Sequence, residues 1–350
     1  MNQRKGGMTR REFVSKAAYC ATSAMVGGGV LFGPVARKAR AASSGKKVTL
    51  RLSHSHMPDP DMSNLQMGAL RLQELVSKRT NNQMEIQIFP ANQLGEERVV
   101  VEGIKMGTID LMMSGTPMWS NFAPQIGLMD LPFIFPNYAR IKKVVGGPVG
   151  EALRQHVMQA VGARILGFLP SFGFRGVVTK SKEVKKVEDL RGLKLRVVQA
   201  PVFIRTFELL GASPTPMAFG ETYTSIQTGV LEGWEHDAPT NAAMKMYEVT
   251  KFFARTDHIH IVCLVTANAK KIDFLPPELK KVLEDAVTEA CNYIFDIAAQ
   301  KEEEGFKVNA QHGMIINAFE KGPAIERVKG LWKEYATKVQ ATDILARMIE

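Results

Sequence analysis

Hydrophobic and polar positions alternate with period two over short stretches and recur at helical spacing between them. Val48, Leu50 and Leu52 share one face of a predicted strand over 48–56, and His54 and His56 continue that face at its carboxyl end. After the turn Met57-Pro58-Asp59-Pro60-Asp61, an amphipathic helix carries Leu65, Ala69, Leu72, Leu75 and Val76 on one stripe. A cleanly alternating strand over 84–89, a helix over 95–106 and a short apolar strand over 109–114 complete a βαβαβ order, which predicts a parallel sheet with right-handed crossovers. A Pro- and aromatic-rich region follows over 115–136. Helices are predicted over 137–145 and 148–161, and a strand over 164–169.

The next stretch reads as a second α/β unit. Strands at 176–179 and 193–198 alternate with helices at 201–210 and 220–229. Ser171-Phe172-Gly173-Phe174-Arg175 is a candidate crossing between two lobes, and the β-prone run from Ile259 to Val265 a candidate return. A long helix begins after Pro276-Pro277 and is expected to reach Glu304, with an apolar stripe through Leu279, Leu283, Ala286, Ala290, Ile294 and Ala298. A short strand over 314–317 and a last amphipathic helix close the chain. The fold class is α/β. Two lobes joined by several crossings suit a hinge around a central cleft.

Composition is that of a globular protein: 350 residues, 45% hydrophobic and 23% charged. No run of about 18 apolar residues occurs, as a membrane-spanning helix would need. The formal net charge is +10, but most of it lies in the first 41 residues, and the remainder is too mildly basic to indicate a nucleic-acid partner. Those 41 residues read as an export signal. Thr9-Arg10-Arg11-Glu12-Phe13-Val14 is a twin-arginine motif, a weakly apolar stretch follows, and Ala39-Arg40-Ala41 is a small-x-small cleavage site. The expected destination is the periplasm, where disulfides form, yet Cys263 and Cys291 read equally well as buried thiols.

Arg196 sits in the short strand run Leu193-Lys194-Leu195-Arg196-Val197-Val198, where an arginine is either a solvated edge residue or a fixed fork for a carboxylate. The surrounding motifs decide between these. Gly192-Leu193-Lys194-Leu195-Arg196-Val197, Leu210-Gly211-Ala212-Ser213-Pro214-Thr215-Pro216-Met217, Glu221-Thr222-Tyr223 and Gln227-Thr228-Gly229-Val230-Leu231-Glu232-Gly233 follow one another in order. Upstream stand Phe89-Pro90-Ala91-Asn92-Gln93-Leu94-Gly95 and Leu131-Pro132-Phe133-Ile134-Phe135. This set resembles the solute-binding subunits of TRAP transporters, the C4-dicarboxylate-binding family, over nearly the whole mature chain.

The resemblance implies a two-lobed periplasmic-binding-protein-like fold with a long C-terminal hinge helix. It implies a monomer that binds a small organic anion, two membrane subunits (one small, one large) as partners, and transport driven by an ion gradient. The expected organisation is a signal peptide over 1–41, a first lobe over 42–172 with 262–301, and a second over 173–261 with 302–350. It makes Arg196 the carboxylate-binding arginine and Arg175, at the lobe crossing, a second ligand-side arginine. Phe219 falls at an aromatic or polar cleft position, and His54 at the end of the first strand borders the ligand. Glu235 matches a family glutamate, expected to accept from a ligand hydroxyl or amine. His236 stands where asparagine is common; both side chains donate to oxygen, but only histidine titrates near neutrality. Trp234 is a candidate ring-stacking wall, and Thr116 and Trp119 follow the third strand toward the cleft. The departure at His236 puts the usual four-carbon dicarboxylate and sugar-acid ligands in doubt.

Two other functions remain to be weighed. His54-x-His56 and His258-x-His260 each place two imidazoles on one strand face, and Glu235-His236-Asp237 adds donors, as a metal-binding or cation-bridged carboxylate-binding protein would require. An exported enzyme would need a recognisable catalytic motif. The chain has no Gly-x-Ser-x-Gly elbow, His-Glu-x-x-His helix or Walker loop, so it is read as a binding module without cofactor or metal.

Overall fold

A computed structural model describes residues 47–350; the export signal expected over 1–41 lies outside the described residues. Among the described residues, eleven strands form two sheets. The first contains β1 (Val48–Ser53), β2 (Met84–Phe89), β3 (Leu111–Gly115), β4 (Ala163–Pro170) and β10 (Val262–Asn268), in the order β2-β1-β3-β10-β4. The second contains β5 (Gly176–Thr179), β6 (Lys194–Val197), β7 (Ser213–Pro216), β8 (Gly233–His236), β9 (Phe252–Arg255) and β11 (Ile315–Ala318), in the order β11-β9-β5-β8-β6-β7.

β2, β1 and β3 are parallel, as their βαβαβ order requires, with α1 (Asn64–Arg79) and α2 (Glu97–Met106) as crossovers. β10 then runs antiparallel to both β3 and β4, so the sheet is mixed. All seven residues of β10 are buried, as its unbroken apolar run over 262–265 demands of an inner strand.

The helices start where their sequences permit. Ser63 caps α1 by accepting the Gln66 N–H at 3.2 Å. α3 (Thr116–Trp119) and a 3₁₀ turn over Pro124–Asp130 occupy the region predicted as loop. Asn137 caps α4 (Tyr138–Val145), and α5 (Pro148–Val161) begins on a proline and ends on left-handed Gly162. In the second lobe stand α6 (Pro201–Leu210), α7 (Thr222–Gln227) and α8 (Ala238–Ala243). α9 (Ala269–Asp273) precedes α10 (Pro277–Gln311), and α11 (Lys321–Lys338) and α12 (Thr342–Ile349) end the chain.

Two strand links cross between the sheets: residues 171–175 lead from β4 to β5, and residues 256–261 lead from β9 back to β10. They run side by side, the Arg175 N–H donating to Ile259 O at 2.8 Å and the Ser171 N–H to Ile261 O at 3.0 Å. The third crossing is α10. It extends to Gln311, beyond the expected Glu304, because its buried face continues through Gly305, Phe306 and Asn309 against the second lobe. Over 35 residues it packs on α1 and β4 at one end and α8 at the other. Gly305 makes that last contact possible, since a Cβ there would stand 2.4 Å from Pro239 N.

Thr116, expected to reach the cleft, is instead fully buried in the first lobe, its hydroxyl 2.6 Å from Asp130 Oδ1. Trp119 is likewise internal, its indole N–H donating to Ser114 Oγ at 2.8 Å. Burial pushes the Asp130 carboxyl up to about 8, and Oδ2 has no partner, so Asp130 is a protonated acid at neutral pH. Because its folded value lies above the unfolded 3.8, the stability it contributes is complete in acid and is lost as pH rises toward 8. Asp130→Asn mimics the protonated form. It should flatten a fall of up to about 1.4 kcal/mol per pH unit, read from urea denaturation between mildly acidic and mildly alkaline pH.

Candidate functional site

The carboxyl ends of β1, β3, β6 and β8 converge on a cavity of about 50 Å³ between the two sheets. Ligands of open α/β sheets bind at such ends. Ser55 and His56 reach it from the end of β1, Glu97 from the first turn of α2, and Ser171, Arg175, Ile261 and Cys263 from the crossings and β10. Arg196, Phe219, His236 and Asp237 line it from the second lobe. The His56 ring stacks on Phe219 with centroids 5.3 Å apart and an interplanar angle of 18°, closing one lobe on the other.

Arg196 is 3% exposed, and its guanidinium is set by the backbone. Nε and Nη2 donate to the Met217 carbonyl at 3.0 and 2.9 Å, and Cζ lies 5.9 Å from the Phe219 centroid. Nη1 has no partner. Of the five N–H bonds of a guanidinium, those on the Nη1–Nη2 edge are left, which is the edge that grips a carboxylate end-on. Burial pulls its pKa down to about 10, so it stays cationic at neutral pH.

Arg175 and Glu235 form a different kind of pair. Arg175 Nε and Nη2 donate to Glu235 Oε2 and Oε1 at 2.5 and 2.8 Å, and Nη2 also reaches the Glu235 carbonyl at 2.6 Å. His258 Nε2 stands 3.3 Å from Oε2. Burial alone would raise the Glu235 carboxyl, but the Arg175 guanidinium outweighs it and holds the pKa near 2. Glu235 does not line the cavity. The carboxylate that the sequence offered to a ligand holds Arg175 instead, and Arg175 alone of the two faces the cavity.

His236 lines the cavity beside Asp237. The Asp237 backbone N lies 3.0 Å and its Oδ2 2.9 Å from Nδ1, so the neighbouring aspartate fixes the ring. Burial, with Arg175 nearby, pulls its pKa down to about 4, so the ring stays neutral at physiological pH and the expected titration near neutrality is absent. Trp234 lies behind it in the second-lobe core, donating to Asn241 Oδ1 at 3.1 Å, and does not form a wall of the cavity. Phe219 does form one, packed between His56 and Arg196.

His54 also falls away from the cavity, held through Nε2 by Gln66 Oε1 at 2.9 Å inside the first lobe. β1 ends at Ser53, so the alternation that put both histidines on one face stops before them. His56 and the adjacent Ser55 reach the cavity instead. Glu97 was not anticipated: burial pushes its carboxyl up to about 7, opposed by the Ser55 hydroxyl and by Arg196. Its signal lay in the sequence, as an acidic residue in the first helical turn after a β-strand and the Asn92-Gln93-Leu94-Gly95 turn. His258 and His260 do not join His54 and His56. Among the described residues no group of three or more His, Cys, Asp and Glu is placed to hold a metal ion. Cys263 and Cys291 are buried free thiols, pushed up to about 12 by burial.

Breaking a buried ion pair from one side leaves an uncompensated charge and costs about 3–5 kcal/mol. Glu235→Ala should therefore lower stability by that order in urea denaturation. A loss below about 1 kcal/mol would show that the pair does not hold Arg175 in place.

The model of the bacterial extracellular solute-binding proteins, family 7, matches residues 54–338. The 2,3-diketo-L-gulonate-binding periplasmic protein YiaO of Escherichia coli is 32% identical over 68% of this chain and 72% of its own length. The C4-dicarboxylate-binding periplasmic protein DctP of Rhodobacter capsulatus is 29% identical over 83% and 85%. Among solved structures, a TRAP periplasmic solute-binding protein of a Polaromonas species bound to D-erythronate superposes with a TM-score of 0.81 at 27% identity, over 86% of this chain and 98% of that one. The sugar acid binding protein DctPAm of Advenella mimigardefordensis, in complex with galactonate, gives 0.82 at 25%, over 87% and 98%. With this two-lobed fold and a family match running through both lobes, the chain belongs to the bacterial extracellular solute-binding proteins of family 7, the DctP family of TRAP transporters.

Proposed function

We propose that the protein takes a small organic acid into the cleft between its lobes, with Arg196 as the anchor for the carboxylate. The cleft then delivers the acid to the small and large membrane subunits of its transporter. The observation that carries this reading is the unpaired Nη1 of a buried, backbone-fixed guanidinium in the cavity wall. Arg175, its charge met by Glu235, adds a polar edge to the wall, and Phe219, His56 and His236 supply aromatic surface and neutral donors. The chain acts by binding and release, without turnover and as a monomer. Its lobes move as 42–172 with 262–301 against 173–261 with 302–350. The relatives named for D-erythronate, galactonate and diketogulonate support a carboxylate as the common element of the cargo.

Charged hydrogen bonds contribute about 1.5–3 kcal/mol each, and micromolar binding needs about 8 kcal/mol. Two bonds from Arg196 supply part, and the rest comes from burial against the walls. Arg196→Met should leave the far-UV circular dichroism spectrum unchanged and weaken carboxylate binding about a hundredfold or more. Calorimetry on the best acid from a thermal-shift screen reads this; wild-type affinity in the variant would remove Arg196 as anchor.

Export through the twin-arginine route has its own test. Replacing Arg10 and Arg11 together by lysine should hold the precursor in the cytoplasm. Undiminished periplasmic protein in cell fractionation would assign the signal to another route.

A further inference from the structure

A second unpaired group lies in the same cavity. Asp237 is fully buried and lines it. Its Oδ1 accepts the Thr240 N–H at 2.8 Å as the cap of α8, but Oδ2 receives no hydrogen bond. His236 Nδ1 stands 2.9 Å from Oδ2 and 3.0 Å from the Asp237 backbone N. The carboxylate oxygen and the main-chain N–H thus compete for one ring nitrogen, and Oδ2 has no second donor. A buried carboxylate oxygen without a donor is costly, and the cavity is where a donor can enter.

Charge points the same way. In and behind the cavity wall, the guanidinium groups of Arg175 and Arg196 face the carboxyls of Glu97, Asp237 and Glu235, while the histidines there are neutral. The wall therefore has no positive excess to receive a bare anion. A monocarboxylate adds one uncompensated negative charge to a dry space, and a dicarboxylate adds two. An acid that also carries a cation adds none. The remaining wall is mostly apolar, Leu65, Met118, Val198, Ile261 and Phe219, with Ser55, Ser171 and the neutral His56 and His236 as its uncharged polar groups.

We infer that the cargo is a compact zwitterion whose protonated amine lies against Asp237 and Glu97 while its carboxylate lies on Arg196. This rests on the assignment of the carboxylate to Arg196 and adds the chemical class of the rest of the molecule.

The test is calorimetry on matched acids: alanine against lactate and propionate, proline against cyclopentanecarboxylate, β-alanine and γ-aminobutyrate against propionate and butyrate. The best amine-bearing acid should bind at least about tenfold more tightly than its hydroxylated or unsubstituted partner, which is about 1.4 kcal/mol. Asp237→Asn keeps a capping side chain for α8, and Glu97→Gln alters a half-exposed helix start. Each should bring that ratio close to one. Equal affinity across a matched pair, or a ratio unmoved by both variants, overturns the inference and leaves the Arg196 anchor standing. Acid binding retained by Arg196→Met overturns the anchor itself. Should no member of the series bind, mass spectrometry of the solute retained by protein from native periplasm decides: an amine-free acid refutes the inference, and a zwitterion supports it.

Discussion

One guanidinium with a spent edge and a free edge organises this cleft. Arg196 is bound on its Nε–Nη2 side by a main-chain carbonyl, so neither its position nor its orientation is a side-chain choice. A buried arginine loses its hydration on folding, and the carbonyl repays only part of that loss. The unsatisfied remainder faces the cavity. A carboxylate gains there because the protein has already met the cost of ordering and drying its receptor.

The two cavity arginines show why residue type alone does not assign a role. Arg175 and Arg196 both sit near strand ends and both line the cleft. Arg175 has a carboxylate on the adjacent strand β8, in register with β5, and closes an internal ion pair supported by His258. Arg196 lies on β6 beside Trp234, whose side chain offers no acceptor, and finds only Met217 O. Pairing register, which composition does not disclose, separates the strut from the anchor.

Much of the architecture was legible because it follows period and punctuation. Strands 84–89 and 176–179 and helix 201–210 have the bounds that their alternation and flanking Gly and Pro residues predict. What escaped had no such period. β7 reads Ser-Pro-Thr-Pro and is tolerated as a strand only because it lies at the sheet edge. β8 buries all four of Gly-Trp-Glu-His, mixing polar and apolar residues on both faces. Within the site, Arg196, Arg175, Phe219 and His236 line the cavity. Glu235, Trp234, His54 and Thr116 stand behind it because neighbouring carboxyl, amide or guanidinium groups claim them. Glu97 and Ser55 went unread because their exposure to the cavity depends on where β1 ends and α2 begins.

The continuous helix α10 has a mechanical corollary. At 35 residues it is about 52 Å long and is packed against both lobes, with no proline inside it to act as a pivot. Separation of the lobes must therefore flex an intact rod of hydrogen-bonded turns instead of swinging on slack chain. Such a rod behaves as a leaf spring, whose stiffness sets how far the cleft gapes and how strongly it returns.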